Sequence, residues 1–344
     1  MNRRYTRQHG FSVHYASILF VSIILLVVSF AVALASGSVD LTFEQVYASI
    51  FCPSSCDISS VHEKILWQIR FPRILMALIT GAGLALCGAI LQSVTRNPLA
   101  DPYLFGISSG SALGAVATMA LIPGAVLSVT FGALIGGAFS VALMLTLAGR
   151  AASHVERLLL AGVAVSFMLS AMTSLILYYS KPEIAASLLF WMMGSFSNSQ
   201  WHELWLPYSF VGIGFIIFLF FRRWLTAIQA GEESAHTLGV PVRRLRLFLL
   251  IICSAITAVL VAHVGGIGFV GLMIPHVCRF LVGAQIHRIL WLCAVLGATF
   301  MIWVDIISRS LLANQVLPVG VVTSAVGSIF FFVILKSRSR RDID

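Results

Sequence analysis

Charged residues are scarce in this chain. They make up 10% of its 344 residues, whereas soluble proteins carry about 25%. Hydrophobic residues account for 59%, and the mean hydropathy is +0.98. Apolar runs of about 18 residues or more recur along the chain, and no interval between them is long enough for a second soluble domain. We therefore expect one all-α polytopic membrane domain over residues 1–344.

Motifs of nucleotide binding and soluble catalysis are also missing. The sequence contains no Walker A motif, no H-E-x-x-H and no paired C-x-x-C. Residues 266–271 spell G-x-G-x-x-G, but no strand precedes them and no acid follows about 20 residues on. We interpret them as a break between membrane helices. We expect no catalytic residue, metal site or cofactor in this chain, so ATP and Mg²⁺ would be used by a separate ATPase.

Lysine is nearly absent as well. Three lysines stand against nineteen arginines, and the net charge is +9. The basic residues form short clusters between apolar runs and not one continuous basic face. This pattern indicates membrane topology signals and snorkelling side chains, and it argues against nucleic acid as a partner.

About ten apolar segments are separated by glycine, proline and charged clusters. They cover residues 16–36, 72–94, 104–122, 124–148, 156–179, 204–221, 245–264, 269–284, 289–312 and 317–335. The first ends in Ala33-Leu34-Ala35, which resembles a signal-peptidase site. Its length of about 20 residues exceeds the roughly 7–15 of a signal peptide. An uncleaved first helix is therefore favoured, with cleavage as the alternative.

An even number of segments places both termini on one side of the membrane. With both termini in the cytoplasm, 17 of the 22 basic residues are cytoplasmic, as the positive-inside rule requires. This orientation predicts a cytoplasmic N-terminus (1–15), loop (222–244) and tail (336–344). The basic residues left outside are Lys64, Arg70, Arg73, Lys181 and Arg309.

Arg70 and Arg73 flank Pro72 at the start of the second segment. Proline suits the first turn of a helix, so both arginines are expected at the outer rim. Two interpretations remain open. The arginines either snorkel to lipid phosphates or present positive charge to a partner outside the membrane.

Few other ionisable residues lie inside the segments. Asp305 is the one carboxylate well inside a segment, and an intramembrane acid is a functional candidate by default. Arg309 follows four residues later on the same helix face and can neutralise it. His263 and His276 flank the glycine-rich break, and a structural hydrogen bond is favoured for each over a ligand contact.

Cysteines and small residues suggest structural roles. Cys52 and Cys56 lie in the first outer loop, where an oxidising periplasm permits a disulfide between them, and they are too few for a metal site. The other cysteines lie in apolar runs and are expected to be packing residues: Cys87, Cys253, Cys278 and Cys293. Glycines at helical spacing predict close helix packing: Gly106, Gly110, Gly114, Gly132 and Gly136.

Two polar stretches are expected on the cytoplasmic side. Residues 96–102 contain Asn-Pro and Asp-Pro pairs and are predicted to form a rigid turn. Residues 222–246 contain two short helical patterns, 225–230 and 232–238, separated by Gly231. Neither has enough apolar surface to pack alone. We interpret this stretch as a docking element for a cytoplasmic partner, with a solvated loop as the alternative.

Several motifs together resemble a known family. They are "RFPRIL", "TRNPLADPYLFGISSGSALGA", "ERLLLAGVAVS", "WMMGSF", "LGVPVRRLR", "GGIGFVGLMIPHVCR" and "LPVGVVTSAVGSIFF". In this order, from about residue 65 to 336, they resemble the bacterial FecCD-type permeases. Those proteins are the membrane subunits of ABC importers for ferric siderophores, haem and cobalamin.

The resemblance implies a ten-helix, cobalamin-permease-like subunit (type II ABC importer) in the bacterial inner membrane. It implies as partners a second permease copy or close homologue, two cytoplasmic ATPase subunits and a periplasmic binding protein. Three groups of residues follow from the family pattern. The binding protein would dock on Arg70, Arg73 and Arg309. The ATPase would dock on Gly231, Glu232, Ala235, Leu238 and Gly239. The cytoplasmic gate would consist of His154, Val155 and Glu156.

Two details qualify what the resemblance implies. The residues at the expected gate differ from the small polar ones of the family pattern. Exposed arginine–carboxylate pairs at the docking site would each contribute about 0.2–1 kcal/mol, so charge is expected to steer docking more than hold it.

The expected function is import of a ferric siderophore, haem or a related iron chelate, with cobalamin as the alternative within the family. His263 is a reason to retain haem among the candidate substrates. An ion-coupled secondary transporter would need several ionisable groups near the bilayer midplane, and only Asp305 qualifies. A membrane enzyme would need convergent catalytic groups, which scattered histidines do not supply.

Overall fold

The computed structural model describes residues 2–37, 42–51, 60–121, 126–149, 155–312 and 315–341. Its α-helices are α1 (Asn2–Ala35), α2 (Phe43–Phe51), α3 (Ser60–Lys64), α4 (Phe71–Thr95), α5 (Ile107–Leu121), α6 (Val126–Ala148), α7 (Val155–Tyr179), α8 (Pro182–Met192), α9 (Trp205–Phe220), α10 (Arg222–Ala230), α11 (Glu232–Thr237), α12 (Val242–Val264), α13 (Val270–Val282), α14 (Ile286–Ser310) and α15 (Val319–Arg341). A π-helical turn (Ile65–Arg70) joins α3 to α4, and a 3₁₀-helix (Pro102–Phe105) precedes α5.

Each of the ten predicted segments corresponds to a helix, which confirms the all-α polytopic membrane fold. Among the described residues, seven helices are long and apolar enough to cross a membrane, and α5, α8, α13 and α15 contain shorter apolar stretches. Helices α10 and α11 match the two patterns separated by Gly231. The hydropathy pattern missed α8, α2 and α3. The predicted N-terminus and tail are also partly helical, since α1 begins at Asn2 and α15 ends at Arg341.

Helix α4 lies at the centre of the bundle. Every residue from Ile79 to Thr95 is buried, and the helix packs against α12, α13 and α14. A Cβ at Gly81 would lie 2.1 Å from the carbonyl oxygen of Gly297 in α14, and one at Gly88 would lie 1.9 Å from that of Gly271 in α13. Helix association in lipid depends on such close contact, because lipid tails are as apolar as the side chains.

The same packing joins α5 to α6, as the glycine spacing predicted. A Cβ at Gly114 would lie 1.9 Å from the carbonyl oxygen of Gly132, and one at Gly136 would lie 2.1 Å from that of Gly110. These two helices therefore also approach through their backbones.

The glycine-rich stretch 265–268 is a break between α12 and α13, which confirms its interpretation. Three quoted motifs meet around it. The backbone amide of Val319, at the start of α15, donates to Gly194 O after α8 at 3.0 Å. The amide of Ser195 donates to Val264 O at the end of α12, at 2.9 Å. Gly265 has φ 75°, and a Cβ there would lie 2.1 Å from Trp191 O. The ends of α8, α12 and α15 thus share one junction.

The predicted turn 96–102 is not a simple surface turn. Its second half folds back into the bundle, where Asp101 is buried and its Oδ1 accepts a hydrogen bond from the amide of Tyr103 at 2.9 Å. The Tyr103 hydroxyl accepts a hydrogen bond from the amide of Ile267 in the break. The turn residues were recognisable from the sequence, but the partner 164 residues away was not.

We expect Gly88→Ala to destabilise the protein, because a methyl group there must displace the Gly271 carbonyl. A cost on the order of 1–3 kcal/mol in the free energy of unfolding is expected, measured as a lower melting temperature of the detergent-purified protein. Gly212→Ala in α9 is the matched control, since a Cβ there meets nothing within 4 Å. It should be neutral or stabilising by up to about 1 kcal/mol. Equal melting temperatures for the two variants would contradict the close contact.

Candidate functional sites at the two ends of the helix bundle

Three arginines and one aspartate gather where α1, α4 and α14 meet. We call Arg70, Arg73, Asp305 and Arg309 the arginine cluster. Arg70 and Arg73 lie where α4 begins, with Pro72 in its first turn as expected. Asp305 and Arg309 lie one helical turn apart near the end of α14. The cluster forms because the start of α4 packs beside the end of α14.

Asp305 is the centre of the arginine cluster. Its side chain is fully buried, and Oδ1 accepts a hydrogen bond from Arg73 Nε at 2.7 Å. Its Oδ2 lies 3.3 Å from Arg309 Nε. A buried carboxylate is costly unless it is paired, and here two guanidinium groups compensate it. The predicted pairing with Arg309 is confirmed, whereas Arg73, 232 residues away, is a partner that the sequence did not indicate.

Other guanidinium nitrogens of the cluster bind the end of α1. Arg70 Nη1 donates to Leu34 O and, at 2.9 Å, to Ala35 O. Arg309 donates to the carbonyls of residues 33 and 36, at 2.6 and 2.7 Å. The last carbonyls of a helix lack intrahelical partners and carry partial negative charge. The two arginines therefore fix α1 against α4 and α14.

Burial of the arginines corrects the expectation that they are exposed. Arg70 and Arg73 are 4% and 8% exposed, and the Arg309 side chain is 7% exposed. Their partners are protein groups, so snorkelling to lipid phosphates does not describe them. Because water screens the Asp305 pairs little, the surface value of about 0.2–1 kcal/mol does not apply to them. Docking of a binding protein here stays a prediction.

A surface depression of about 770 Å³ lies beside the cluster. It is lined by Gln68, Ile69, Ser197, Asn198, Ser199, Gln200, Trp201, His202 and Glu203. The Ser197 hydroxyl accepts a hydrogen bond from Arg73 Nη1 at 3.3 Å. The rings of Trp67, Phe71 and Trp201 stack in a row, with centroids 4.6 and 6.4 Å apart. The depression is therefore in contact with the arginine cluster through Ser197.

A second candidate site consists of α10, Gly231 and α11, which we call the α10–α11 unit. Gly231 has φ 136° and separates the two helices, as the sequence predicted. Leu225 and Ile228 are the buried residues of α10, and Ala235 is the buried residue of α11. The rest of α11 is exposed.

The predicted ATPase-docking residues divide into two sets. Leu238, 72% exposed, and the exposed Gly239 form the surface beyond α11. Ala235 is buried, so it packs the unit onto the bundle and offers no contact surface, which corrects its predicted role. Glu232 turns toward the bundle and forms an ion pair with Arg246 of α12. The hydrogen bond from Arg246 holds the pKa of Glu232 below its usual value.

Known proteins match this chain over nearly its whole length. The model of the FecCD transport family matches residues 25–337. The chain belongs to the FecCD transport family.

Relatives of this FecCD chain are named as permeases. It is 37% identical over 314 residues to the cobalamin import system permease protein of Halobacterium salinarum, covering 90% of this chain and 83% of the relative. It is 39% identical over 279 residues to the vitamin B12 import system permease protein of Citrobacter koseri, covering 80% and 84%. A solved inward-facing structure of a proposed metal-chelate type ABC transporter matches with a TM-score of 0.83 and 33% identity, over 94% and 99% of the two chains. The chain is thus an ABC importer permease.

A small cavity of the FecCD chain, about 170 Å³, lies where α5, α7 and α8 meet the break. Its hydroxyl-bearing residues are Ser108, Ser109, Ser170, Thr173 and Ser174. Ser170 Oγ donates to Ser109 Oγ at 3.2 Å. The described residues that line it carry no charge, so they offer neutral donors and acceptors. Sequence periodicity did not single out these residues, because serine and threonine are common in membrane helices.

Of the residues predicted to form the gate and the disulfide, the structure describes only some. His154, Cys52 and Cys56 lie outside the described residues, so the disulfide stays a prediction. Val155 begins α7, and Glu156 is exposed in its first turn, where a helix dipole favours a carboxylate. The gate formed by these residues likewise stays a prediction.

Two half-buried histidines and four buried cysteines have structural roles. His263 Nδ1 donates to Val259 O at 2.8 Å, which confirms the structural hydrogen bond expected of it. The His276 ring packs edge-on against Phe330, with centroids 6.0 Å apart. The cysteines expected to be packing residues are all buried: Cys87, Cys253, Cys278 and Cys293.

We expect Asp305→Asn to destabilise the FecCD chain more than Arg73→Met. The first change removes the carboxylate from among three buried guanidinium groups, and breaking a buried pair in this way costs about 3–5 kcal/mol. The second change leaves Asp305 paired with Arg309 and should cost less. Melting temperatures of the purified variants measure both effects, with Glu63→Gln, an exposed charge removal, as control. A larger loss for Arg73→Met would mean that Asp305 is not the centre of the cluster.

Proposed function

We propose that this chain is the permease subunit of an importer that carries a bulky metal chelate from a periplasmic binding protein into the cytoplasm. Cobalamin is the first candidate, and haem or a ferric siderophore is the second. The subunit would lie in a bacterial inner membrane with both termini in the cytoplasm. It would pair with a second permease copy or close homologue and with two ATPase subunits.

One observation carries the choice of substrate. Relatives at 37% and 39% identity, over 80–90% of this chain, are named for cobalamin or vitamin B12. The solved relative described as metal-chelate type supports the wider class and keeps iron chelates as the second candidate.

The proposed mechanism uses the two ends of the bundle. A loaded binding protein docks over the arginine cluster, which carries three positive charges against one carboxylate. ATP binding draws the two ATPase subunits together and moves the α10–α11 units that rest on them. The two permeases then rock, so that the path between them opens to the other side. No covalent step is asked of this chain.

Reconstitution in proteoliposomes tests the function. The permease is assembled with the ATPase and binding protein encoded beside it, and uptake of labelled cyanocobalamin, haem and a ferric siderophore is measured in turn. ATP-dependent uptake of cobalamin in preference to the other two is expected. Preferential haem or siderophore uptake would select the second candidate. Uptake that persists without ATP and collapses with the proton gradient would overturn the proposal in favour of a secondary transporter.

Docking at the arginine cluster needs a test that does not disturb the fold. Charge reversal at Arg73 would place two carboxylates together and is therefore unsuitable. Gln68 is exposed and lines the depression beside the cluster. We expect Gln68→Glu to slow association of the binding protein and Gln68→Lys to quicken it, each several-fold at low salt and less at high salt. Surface plasmon resonance on nanodisc complexes measures these rates. Equal rates for both variants would place docking elsewhere.

A further inference from the structure

The α10–α11 unit is too small to hold its own position. Helix α11 has six residues and buries only Ala235, and α10 has nine. Isolated helices of this length are marginal, so the orientation of the unit depends on its attachments to the bundle. Those attachments are made to the last turn of α4.

Arg246 provides the central attachment. It lies near the start of α12 and is 3% exposed. Its Nε donates to Val94 O in the last turn of α4 at 3.3 Å, and its Nη2 forms the ion pair with Glu232 of α11. One guanidinium group therefore joins three helices.

A second contact reaches the same turn. Gln229 of α10 donates from Nε2 to the hydroxyl of Ser93 at 3.0 Å. Ser93 and Val94 lie just before Arg96, whose left-handed backbone, φ 52°, ends α4. The final carbonyls of a helix are unsatisfied and partly negative, so a buried arginine is favoured there. Both helices of the unit are thus tied to one end of α4.

Helix α4 reaches from this attachment to the arginine cluster. Its 25 residues span about 37 Å at 1.5 Å per residue. Because the backbone of α4 contacts α14 at Gly81 and α13 at Gly88, α4 cannot move independently of these two helices. A displacement applied at one end is therefore passed to the other and shared with both neighbours.

We infer that Arg246 is a positioning residue that transmits movement of α11 to α4 and so couples ATP hydrolysis to transport. This inference rests on the proposed function, in which α11 docks on the ATPase. Arg246 touches neither substrate nor ATP. Its effect is on the amount of transport obtained per ATP hydrolysed.

The test compares Arg246→Met, Arg246→Lys and Glu232→Gln in the fully assembled complex. We expect the two Arg246 variants to assemble with the ATPase and to hydrolyse ATP within about twofold of the unmodified protein. Substrate uptake per ATP should fall at least tenfold for Arg246→Met. A smaller loss is expected for Arg246→Lys, because a single ammonium cannot bind the Val94 carbonyl and Glu232 in the same fork geometry. Glu232→Gln, at a half-exposed position, remains informative if Arg246→Met does not fold.

Lys336→Met is the matched control, since it removes an exposed positive charge near the end of α15. Its uptake per ATP should not change. An unchanged ratio in Arg246→Met, or in Glu232→Gln where the former does not fold, would overturn the inference. So would a loss of ATPase association alone, because that would make Arg246 part of the docking surface. If the unmodified chain neither binds an ATPase nor drives uptake with ATP, the proposed function itself has failed.

Discussion

Backbone contact between α4 and its neighbours is the constraint on which the rest of the structure depends. Gly88 admits the Gly271 carbonyl and Gly81 admits that of Gly297, so α4 meets α13 and α14 in one register only. A shift of one residue would turn its side chains by about 100°. Arg73 would then leave Asp305, and the last turn of α4 would leave Arg246. The polar sites at both ends therefore depend on apolar packing between them.

Local sequence patterns were sufficient for features that a single segment determines. The helices that match the ten predicted segments follow from hydropathy, the break at 265–268 from its glycines, and the division of α10 from α11 from Gly231. The Asp305–Arg309 pair follows from spacing along one helix. Contacts between distant segments could not be predicted in this way. Neither the Arg73–Asp305 pair nor the bond from Ile267 to Tyr103 leaves a periodic signal, because each joins two segments whose mutual register the pattern does not contain.

Burial of the arginines in the cluster shows the limit of rules that assign membrane orientation from charge. The positive-inside rule identified Arg70, Arg73 and Arg309 as exceptions, and that observation led to a functional interpretation. The rule assumes that a basic residue at a helix end meets water or lipid. Here the end of α1 supplies unsatisfied carbonyls that receive the guanidinium groups of Arg70 and Arg309. The sequence could not show that the last carbonyls of α1 accept hydrogen bonds from these arginines, because this depends on how α1, α4 and α14 pack together.

The preference for arginine over lysine follows from the same need. A guanidinium group has five donors in a fixed fork, whereas an ammonium group is a point charge. Arg309 binds two carbonyls of α1 while it faces Asp305, and Arg246 binds the Val94 carbonyl while it pairs with Glu232. A lysine could not satisfy a helix end and a carboxylate from separate atoms in one plane. Arginine therefore joins the ends of several helices through one side chain, which a lysine at the same position could not do.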